Sequence, residues 1–286
     1  MQALREIRRR IRTVQNTQQI TKAMKMVAAA RLKKAQSNVE SSRPYAKKLD
    51  LLLKNLSRAK TSFYHPLFEK REKIKKTLLF LITSDRGLCG PFNANIFKEA
   101  KSFLEDYEKD QVGLVIVGKK GFNHFRREKW EIVQSYPGLE GKVTASQLKS
   151  ITNILIELFL SNKYDQVYTL YTQFLNPATF KVTLEKFLNI EPENKEKKLQ
   201  IDYIFEPNVE EIFDVLLPRY CINRVQMALF ESFASEHGSR MTAMSAATKN
   251  AEEMIEELTL IRNKLRQAAI TKEMLEIASG AEALKG

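Results

Sequence analysis

The 286-residue sequence has only two cysteines, Cys89 and Cys221, which lie far apart and without CxxC spacing. This excludes a disulfide framework and a cysteine-based zinc site, and it favours a reducing compartment. No apolar run approaches the ~20 residues that cross a bilayer. The N-terminus is charged from Arg5 onward and lacks the apolar core of a secretory signal. We expect a folded protein with neither a membrane span nor a leader.

Motifs that mark catalytic or ligand-binding sites are also missing. His65, His124 and His237 are isolated, without HxxxH or HExxH spacing, so no metal site is expected. Neither GxGxxG nor GxxxxGK[ST] occurs, and the two glycines of the loop at residues 84–90 fit a turn better than a nucleotide site. Cys89 has no nearby histidine to activate it and is interpreted as structural. No cofactor is expected, and no catalysis by the chain alone.

Glycine and proline are scarce at both ends of the chain. Residues 1–57 contain no glycine and only Pro44, and after Pro218 glycine occurs only at 238, 280 and 286. Apolar or small residues recur there at steps of three and four, which predicts two long helices with coiled-coil seams. Pro44 is expected to kink or end the first helix. The predicted seams are Leu4, Ile7, Ile11, Val14, Ile20, Met24, Val27, Ala28, Leu32, Ala35 and Val39, and Met241, Met244, Thr248, Ala251, Met254, Leu258, Ile261, Leu265 and Ala268.

Each terminal helix needs a partner for its apolar stripe. At ~1.5 Å per residue, the C-terminal helix would span on the order of 100 Å, which is too long for a compact domain of this size. Small residues at 28–30 match the alanines at 243, 246, 247 and 251. We therefore predict an antiparallel coiled coil formed by residues 1–60 and 209–286, with the middle of the chain inserted between them.

Residues 75–207 show a different pattern, in which short apolar runs alternate with amphipathic helices. Strands are predicted at 77–83, 112–117, 131–135, 166–174, 179–187 and 200–205. Alternating strands and helices indicate a partly parallel sheet in a Rossmann-like α/β domain. The later strands have no helix between them and are expected to be antiparallel.

The net charge of +13 comes from one end of the chain. Residues 1–60 hold 16 of the 47 lysines and arginines but only 3 of the 34 acidic residues, so the remainder is neutral. Such an asymmetry indicates an acidic partner surface, which nucleic acid, anionic lipid or acidic protein loops would all provide. The structural alternative is a solvated basic helix face.

Four blocks of the sequence resemble the gamma subunit of rotary F-type ATP synthases. They lie at residues 14–29, 84–90, 239–248 and 268–281, in the family's order and across essentially the whole chain. The last block contains Ile270-Thr271-Lys272-Glu273, followed by Glu276, Gly280 and Ala281, which is the family's C-terminal signature.

The resemblance implies a central rotor shaft that enters a hexamer of alternating alpha and beta subunits. Its α/β domain would lie beside the epsilon subunit and the ring of c subunits. Rotation would couple transmembrane proton flow to ATP synthesis or hydrolysis at beta-subunit sites, while the shaft itself is non-catalytic. The implied location is the cytoplasmic face of the bacterial inner membrane, or alternatively an organellar inner face. Membrane contact would occur only through the complex, and no nucleic acid partner is implied.

Positions that match the family pattern imply two groups of contact residues, for which seam packing or solvation is the structural alternative. Contact with beta subunits is implied for Lys22, Met24, Lys25, Arg266, Gln267, Thr271 and Glu273. An apical bearing is implied for Ile277, Gly280, Ala281 and Leu284.

Two other classes of function remain as alternatives. The basic N-terminal segment is compatible with a nucleic-acid-binding coiled coil, although Tyr45 is its only aromatic residue and base stacking is poorly supported. The α/β domain is compatible with a nucleotide-dependent enzyme, although the phosphate-binding motifs are missing. Sequence discrimination in DNA binding would favour the first, and tight binding of ATP or NAD would favour the second.

Overall fold

A computed structural model describes residues 2–58, 65–69, 71–177, 179–190 and 209–283. Two long terminal helices, α1 (Gln2–Arg58) and α5 (Val209–Ala283), flank a region of strands and shorter helices. The chain forms two compact units. The helical unit consists of the described parts of Met1–Ala28 and Met241–Gly286, and the sheet unit of those of Ala29–Arg240. The strand predicted at 200–205 lies outside the described residues.

Strands and helices alternate in the sheet unit as predicted. The strand order is β3-β2-β1-β4-β5, in which the first four strands are parallel and β5 is antiparallel to β4. This order, with helices between the parallel strands, is Rossmann-like. After the short 3-10 helix Pro66–Phe68, the elements are β1 (Thr77–Ile82), α2 (Phe92–Leu104), β2 (Val112–Val117), α3 (Lys119–Arg127), β3 (Glu131–Tyr136), α4 (Ala145–Leu160), β4 (Gln166–Asn176) and β5 (Thr179–Leu188).

The sheet lies between two apolar layers. Every residue of β1 and β2 is buried, because strands of a parallel sheet are covered on both faces, and this explains their continuous apolar runs. One face packs against α2 and α3, through residues such as Ile96 and Phe125. The other face packs against α4 and against parts of α1 and α5, through Leu155, Leu53 and Phe213.

Helix α1 continues through Pro44, so this proline does not end the helix, and the alternative expectation of a kink stays a prediction. Proline lacks the amide that would bond to the carbonyl four residues earlier, at Glu40. Both Glu40 and Pro44 are exposed, so water can satisfy that carbonyl. Pro218 inside α5 and Asp214, four residues before it, are exposed in the same way.

In the helical unit, α1 and α5 form the predicted antiparallel coiled coil, but the seam of α1 differs from the predicted one. Ile20 and Val27, predicted in the seam, are 60% and 54% exposed, whereas Gln18 is half-buried and Thr21 is buried. Steps of four and three from Val14 lead to Gln18 and Thr21. The seam of α1 therefore runs through Gln18 and Thr21, while the other residues of the polar stretch at 15–19 are exposed.

The seam of α5 departs from the prediction after Ala251. Met254, Ile261 and Ala268 were predicted in the seam but are exposed. The next step from Ala251 is four residues, to Ile255, and the later half-buried positions include 258, 262, 265 and 269. The apolar neighbours Met254 and Ile255 made the step ambiguous in the sequence.

Gly113 in β2 allows Tyr164 to pack against the strand, so we expect Gly113→Ala to destabilise the sheet unit. A Cβ at this position would collide with the Tyr164 hydroxyl oxygen and lie 2.5 Å from Cζ. Tyr164 is only 1% exposed, and overpacking such a site costs about 3 kcal/mol. Urea unfolding of the purified chain measures the change.

Gly87→Ala is the matched control, since its Cβ would contact only the end of the Lys120 side chain, at 3.6 Å. We expect this control to change the free energy of unfolding by less than about 0.5 kcal/mol. Equal losses for the two variants would contradict the packing argument.

Candidate functional site

The loop at residues 84–90 follows β1 at the point where the strand order reverses between β1 and β4. Rossmann-like sheets bind their ligands at such switch points. In this chain, however, the Asp85 carboxylate accepts hydrogen bonds from three backbone amides, those of Lys119 (3.1 Å), Gly138 (2.7 Å) and Glu140 (2.9 Å). Asp85 therefore joins the segments that follow β1, β2 and β3.

Cys89 is held inside this loop by polar contacts. Its sulfur accepts a hydrogen bond from the Asn93 side-chain amide at 3.2 Å, and the same amide donates to the Ser84 hydroxyl at 2.7 Å. Burial raises the pKa of the Cys89 thiol. Ser239 of α5 donates to the Cys89 carbonyl at 2.6 Å. These contacts agree with the structural role predicted for Cys89.

Side chains of α5 occupy the switch point. The Thr172 amide donates to the Ser232 hydroxyl at 3.2 Å, and the Ser235 hydroxyl donates to the Thr172 carbonyl at 3.2 Å. Thr172 lies two residues beyond Leu170, the last residue of β4 that pairs with β1. The two serines therefore satisfy the backbone of β4 after its pairing with β1 has ended.

Arg240 fixes the same loop to α5. Its guanidinium donates to the carbonyls of Arg86 (3.0 Å) and Gly87 (3.3 Å) and pairs with the Glu236 carboxylate at 2.8 Å. Burial raises the pKa of Glu236, and the charge of Arg240 opposes this shift. Burial, together with the nearby charge of Arg240, lowers the pKa of His237 to about 4.

The structure thus brings together two blocks of the family resemblance, residues 84–90 and the beginning of 239–248. The sequence interpretation named both blocks but missed their contact, because no local spacing relates positions about 150 residues apart. A signal for the buried polar face was present. Ser232, Ser235 and Ser239 follow one another at steps of three and four, in a stretch that also contains Glu231 and Glu236.

In the helical unit, Met24 is half-buried, and Lys22 and Lys25 beside it are exposed. Met24 lies one turn after Thr21, whose hydroxyl accepts a hydrogen bond from the Thr248 hydroxyl at 2.9 Å. This polar pair inside the seam sets which residues of the two helices face each other.

The remaining predicted contact residues lie elsewhere in the helical unit. Residue 266 is 18 positions after Thr248, which corresponds to about 27 Å along α5. The structure therefore does not bring the two groups of beta-contact residues together. The described side chains of Arg266, Gln267, Thr271, Glu273, Ile277 and Ala281, as well as Gly280, are exposed, and Leu284 lies outside the described residues.

Each histidine takes part in a separate local contact. His124 stacks on Phe97 with ring centroids 4.2 Å apart, and the His65 ring accepts a hydrogen bond from the Leu67 amide. Among the described residues, no group of three or more His, Cys, Asp or Glu could hold a metal ion. The described helices also include none with the length and apolarity needed to cross a membrane.

Comparison with known proteins identifies the family. The model of the ATP synthase family matches residues 3–284. The chain is 46% identical over 286 residues to the ATP synthase gamma chain of Protochlamydia amoebophila, and 45% identical over 289 residues to that of Geotalea uraniireducens. Both alignments cover 100% of this chain and 100% of the relative. The chain belongs to the ATP synthase gamma-chain family.

Solved structures agree with this assignment. A chain from the central stalk and c-ring of the Tetrahymena thermophila mitochondrial ATP synthase is 28% identical, with a TM-score of 0.60, and the match covers 80% of this chain and 99% of that one. A chain of the Euglena gracilis mitochondrial ATP synthase shares the fold, with 19% identity, a TM-score of 0.69 and coverage of 99% and 94%. As a gamma chain, the protein is a non-catalytic central-stalk subunit of the ATP synthase complex.

We expect His237 to make the stability of this gamma chain depend on pH. Its pKa is about 4 in the folded chain and about 6.5 when unfolded. Between these values the unfolded chain binds a proton that the folded chain excludes. The stability present above pH 6.5 is therefore lost as the pH falls, by about 2 kcal/mol between pH 7 and pH 4.5. His237→Gln should remove this loss, as measured by chemical unfolding at both pH values.

The measured quantity is the difference in the free energy of unfolding between the parent chain and His237→Gln at each pH. Glu236, whose raised pKa has the opposite effect, is present in both proteins and cancels. At pH 7, the difference in unfolding free energy measures what the replacement of histidine by glutamine costs in packing. If the two stabilities change in parallel with pH, His237 is not the group responsible.

Proposed function

We propose that the chain is the rotating shaft of a proton-translocating F-type ATP synthase, with its helical unit inside a hexamer of alternating alpha and beta subunits. An asymmetric pair of helices presents a different surface to each beta subunit. The resulting differences in contact free energy would force the three catalytic sites through different conformations. The shaft would thereby couple proton flow to ATP synthesis or hydrolysis without taking part in the chemistry.

The observation that carries this proposal is the exposed apolar end of α5. Four large apolar residues lie there in water: Ile270 is 47% exposed, Met274 59%, Leu275 63% and Ile277 72%. Exposed apolar surface of this kind is typical of an interaction site. A surrounding apolar ring would cover it on all sides, which fits an apical bearing that contains Ile277, Gly280, Ala281 and Leu284. Leu284 belongs to this group by the sequence resemblance alone.

Met24, Lys22 and Lys25 are proposed to contact acidic loops of the beta subunits. The two ammonium groups are exposed on either side of the half-buried Met24, and the first 60 residues carry the whole excess of positive charge. Complementary charge of this kind orients partners and accelerates their association.

A second contact with the beta subunits is proposed farther along α5. Arg266, Gln267, Thr271 and Glu273 all carry hydrogen-bonding side chains and are exposed. Lys272 and Glu276 lie on the same stretch and form an ion pair at 3.7 Å. A polar band that begins before the apolar end and overlaps its first residues would allow hydrogen bonds to fix the rotor angle while the tip turns in its bearing.

The proposed functional division is residues 1–60 and 209–286 for the coiled coil and 75–207 for the α/β domain. The α/β domain would contact the epsilon subunit and the c ring. The protein belongs to a membrane-associated complex, and we propose the cytoplasmic face of the bacterial inner membrane as its location, with an organellar inner face as the alternative. Contact with the membrane would be made only through the other subunits, and no nucleic acid is involved.

Reconstitution with the cognate alpha and beta subunits tests the shaft role. We expect one copy of the chain per hexamer and a large rise in steady Mg-ATP hydrolysis over alpha and beta alone. Quantitative gels give the stoichiometry, and a coupled assay gives the turnover. Failure to join well-folded partners would overturn the proposal, and sequence-selective DNA binding would then favour the nucleic-acid alternative.

Met24→Lys is expected to impair coupling more than folding. The half-buried position lets a lysine stem pack while its ammonium reaches water, so the coiled coil should form. The added charge would stand in the close contact with beta and alter its free energy in each rotary state. Protons pumped per ATP hydrolysed should therefore fall in vesicles that contain the complete complex.

Met26→Lys is the matched comparison, because it adds the same charge two residues away at a side chain that is 61% exposed. Its effect on pumping should be smaller. Wild-type pumping by the Met24→Lys complex would show that Met24 is not at the contact.

A further inference from the structure

We propose that the polar face of α5 formed by Ser232, Ser235, Ser239 and Arg240, called here the grip, fixes the part of α5 that belongs to the sheet unit against twisting relative to the sheet. The inference rests on the proposed rotary function and concerns residues outside the proposed contacts with the other subunits. They would position the shaft and would not touch the reacting nucleotide.

The grip is a buried polar face where apolar packing would be the ordinary solution. Ser232, Ser235 and Ser239 are 1%, 0% and 3% exposed, and their spacing puts them on one side of the helix. Buried hydroxyls stabilise a structure only when they are hydrogen-bonded. All three are bonded to backbone atoms, those of Thr172 and Cys89. The helix is therefore bonded to the main chain of the sheet unit. Side-chain packing is not the only interaction that keeps α5 in place on the sheet.

The bonds reach separate parts of the sheet unit. Ser232 and Ser235 hold β4 at Thr172, whereas Ser239 and Arg240 hold the loop after β1. Apolar contacts are non-directional, so they can slide when a helix twists about its axis. Hydrogen bonds have narrow limits of distance and angle. Bonds to two separate elements therefore resist twisting more than apolar contact over the same area would.

Two further contacts limit the movement of α5 at this place. Arg43 of α1 donates to the Phe174 carbonyl at 2.8 Å and lies 3.3 Å from the Glu231 carboxylate, so it ties the end of β4 to α5. A Cβ at Gly238 would lie 3.0 Å from the Pro177 carbonyl oxygen, which shows how closely the helix backbone approaches the turn after β4.

The grip also lies at the boundary between the two units along α5. Arg240 is the last residue of the sheet unit on α5, and Met241 is the first residue of the helical unit on the same helix. Torque that enters the sheet from the c ring would pass through the grip into α5. It would continue from there along the helix backbone.

The test is the double variant Ser235→Ala with Ser239→Ala, in a complex with alpha, beta, epsilon and c subunits. A rotation probe is attached at Ser146→Cys, an exposed position on α4, and both native cysteines are buried. We expect ATP hydrolysis to be little changed. The angular variance of the probe at catalytic pauses should rise roughly twofold, because mean-square displacement grows as stiffness falls.

Two controls separate torsional stiffness from stability. Ser102→Ala makes the same chemical change at an exposed position on α2 and should leave the variance unchanged. Gly113→Ala destabilises the sheet unit away from the grip and should also leave it unchanged. If the double variant does not assemble, Ser239→Ala alone removes only the bond to the Cys89 carbonyl and permits the same measurement.

The outcomes are distinguishable from failure of the proposed function. A parent complex that does not rotate would overturn the rotary proposal itself. If the parent rotates but the grip variants keep its variance, or if Gly113→Ala raises the variance equally, the grip has no special role in transmitting torque.

Discussion

The apolar stripes of α1 and α5 impose the constraint on which the rest of the structure depends. Neither helix can leave such a stripe in water, and the two helices are the first and the last elements of the described chain. Pairing them makes everything between them an insertion. The insertion in turn uses other parts of the same helices, since Leu53 of α1 and Phe213 of α5 belong to its core. Each terminal helix therefore serves two units.

The fold could be predicted from the sequence wherever the pattern is strong and local. The continuous apolar runs of β1 and β2 gave their positions, and the missing helix after β4 gave the antiparallel β5. The errors occurred where two neighbouring residues are equally suitable for the seam of the coiled coil, as at Met254 and Ile255. Gln18 was not predicted in the seam because the prediction followed apolar and small residues. A polar residue occupies this seam position because the helix geometry places it there.

The candidate site was only partly predictable for a different reason. The resemblance located residues 84–90 and 239–248, but their contact depends on how α5 crosses the sheet. Local spacing contains no information about that crossing. The proposed contacts with beta subunits, such as those of Met24 and Arg266, do not stabilise the fold of the chain itself. Periodicity therefore could not distinguish these residues from a solvated helix face. At the switch point, the Rossmann-like fold has its own serines where other such folds hold a ligand, which illustrates that fold alone does not fix function.

The exposed apolar end of α5 also affects the life of the chain before it joins any complex. Until partner subunits cover Ile270, Met274, Leu275 and Ile277, these residues form an exposed apolar surface that favours aggregation of the newly made protein. Copies made in excess of their partners would associate with one another or be degraded. Balanced synthesis of the subunits is therefore a requirement that this helix end places on the cell.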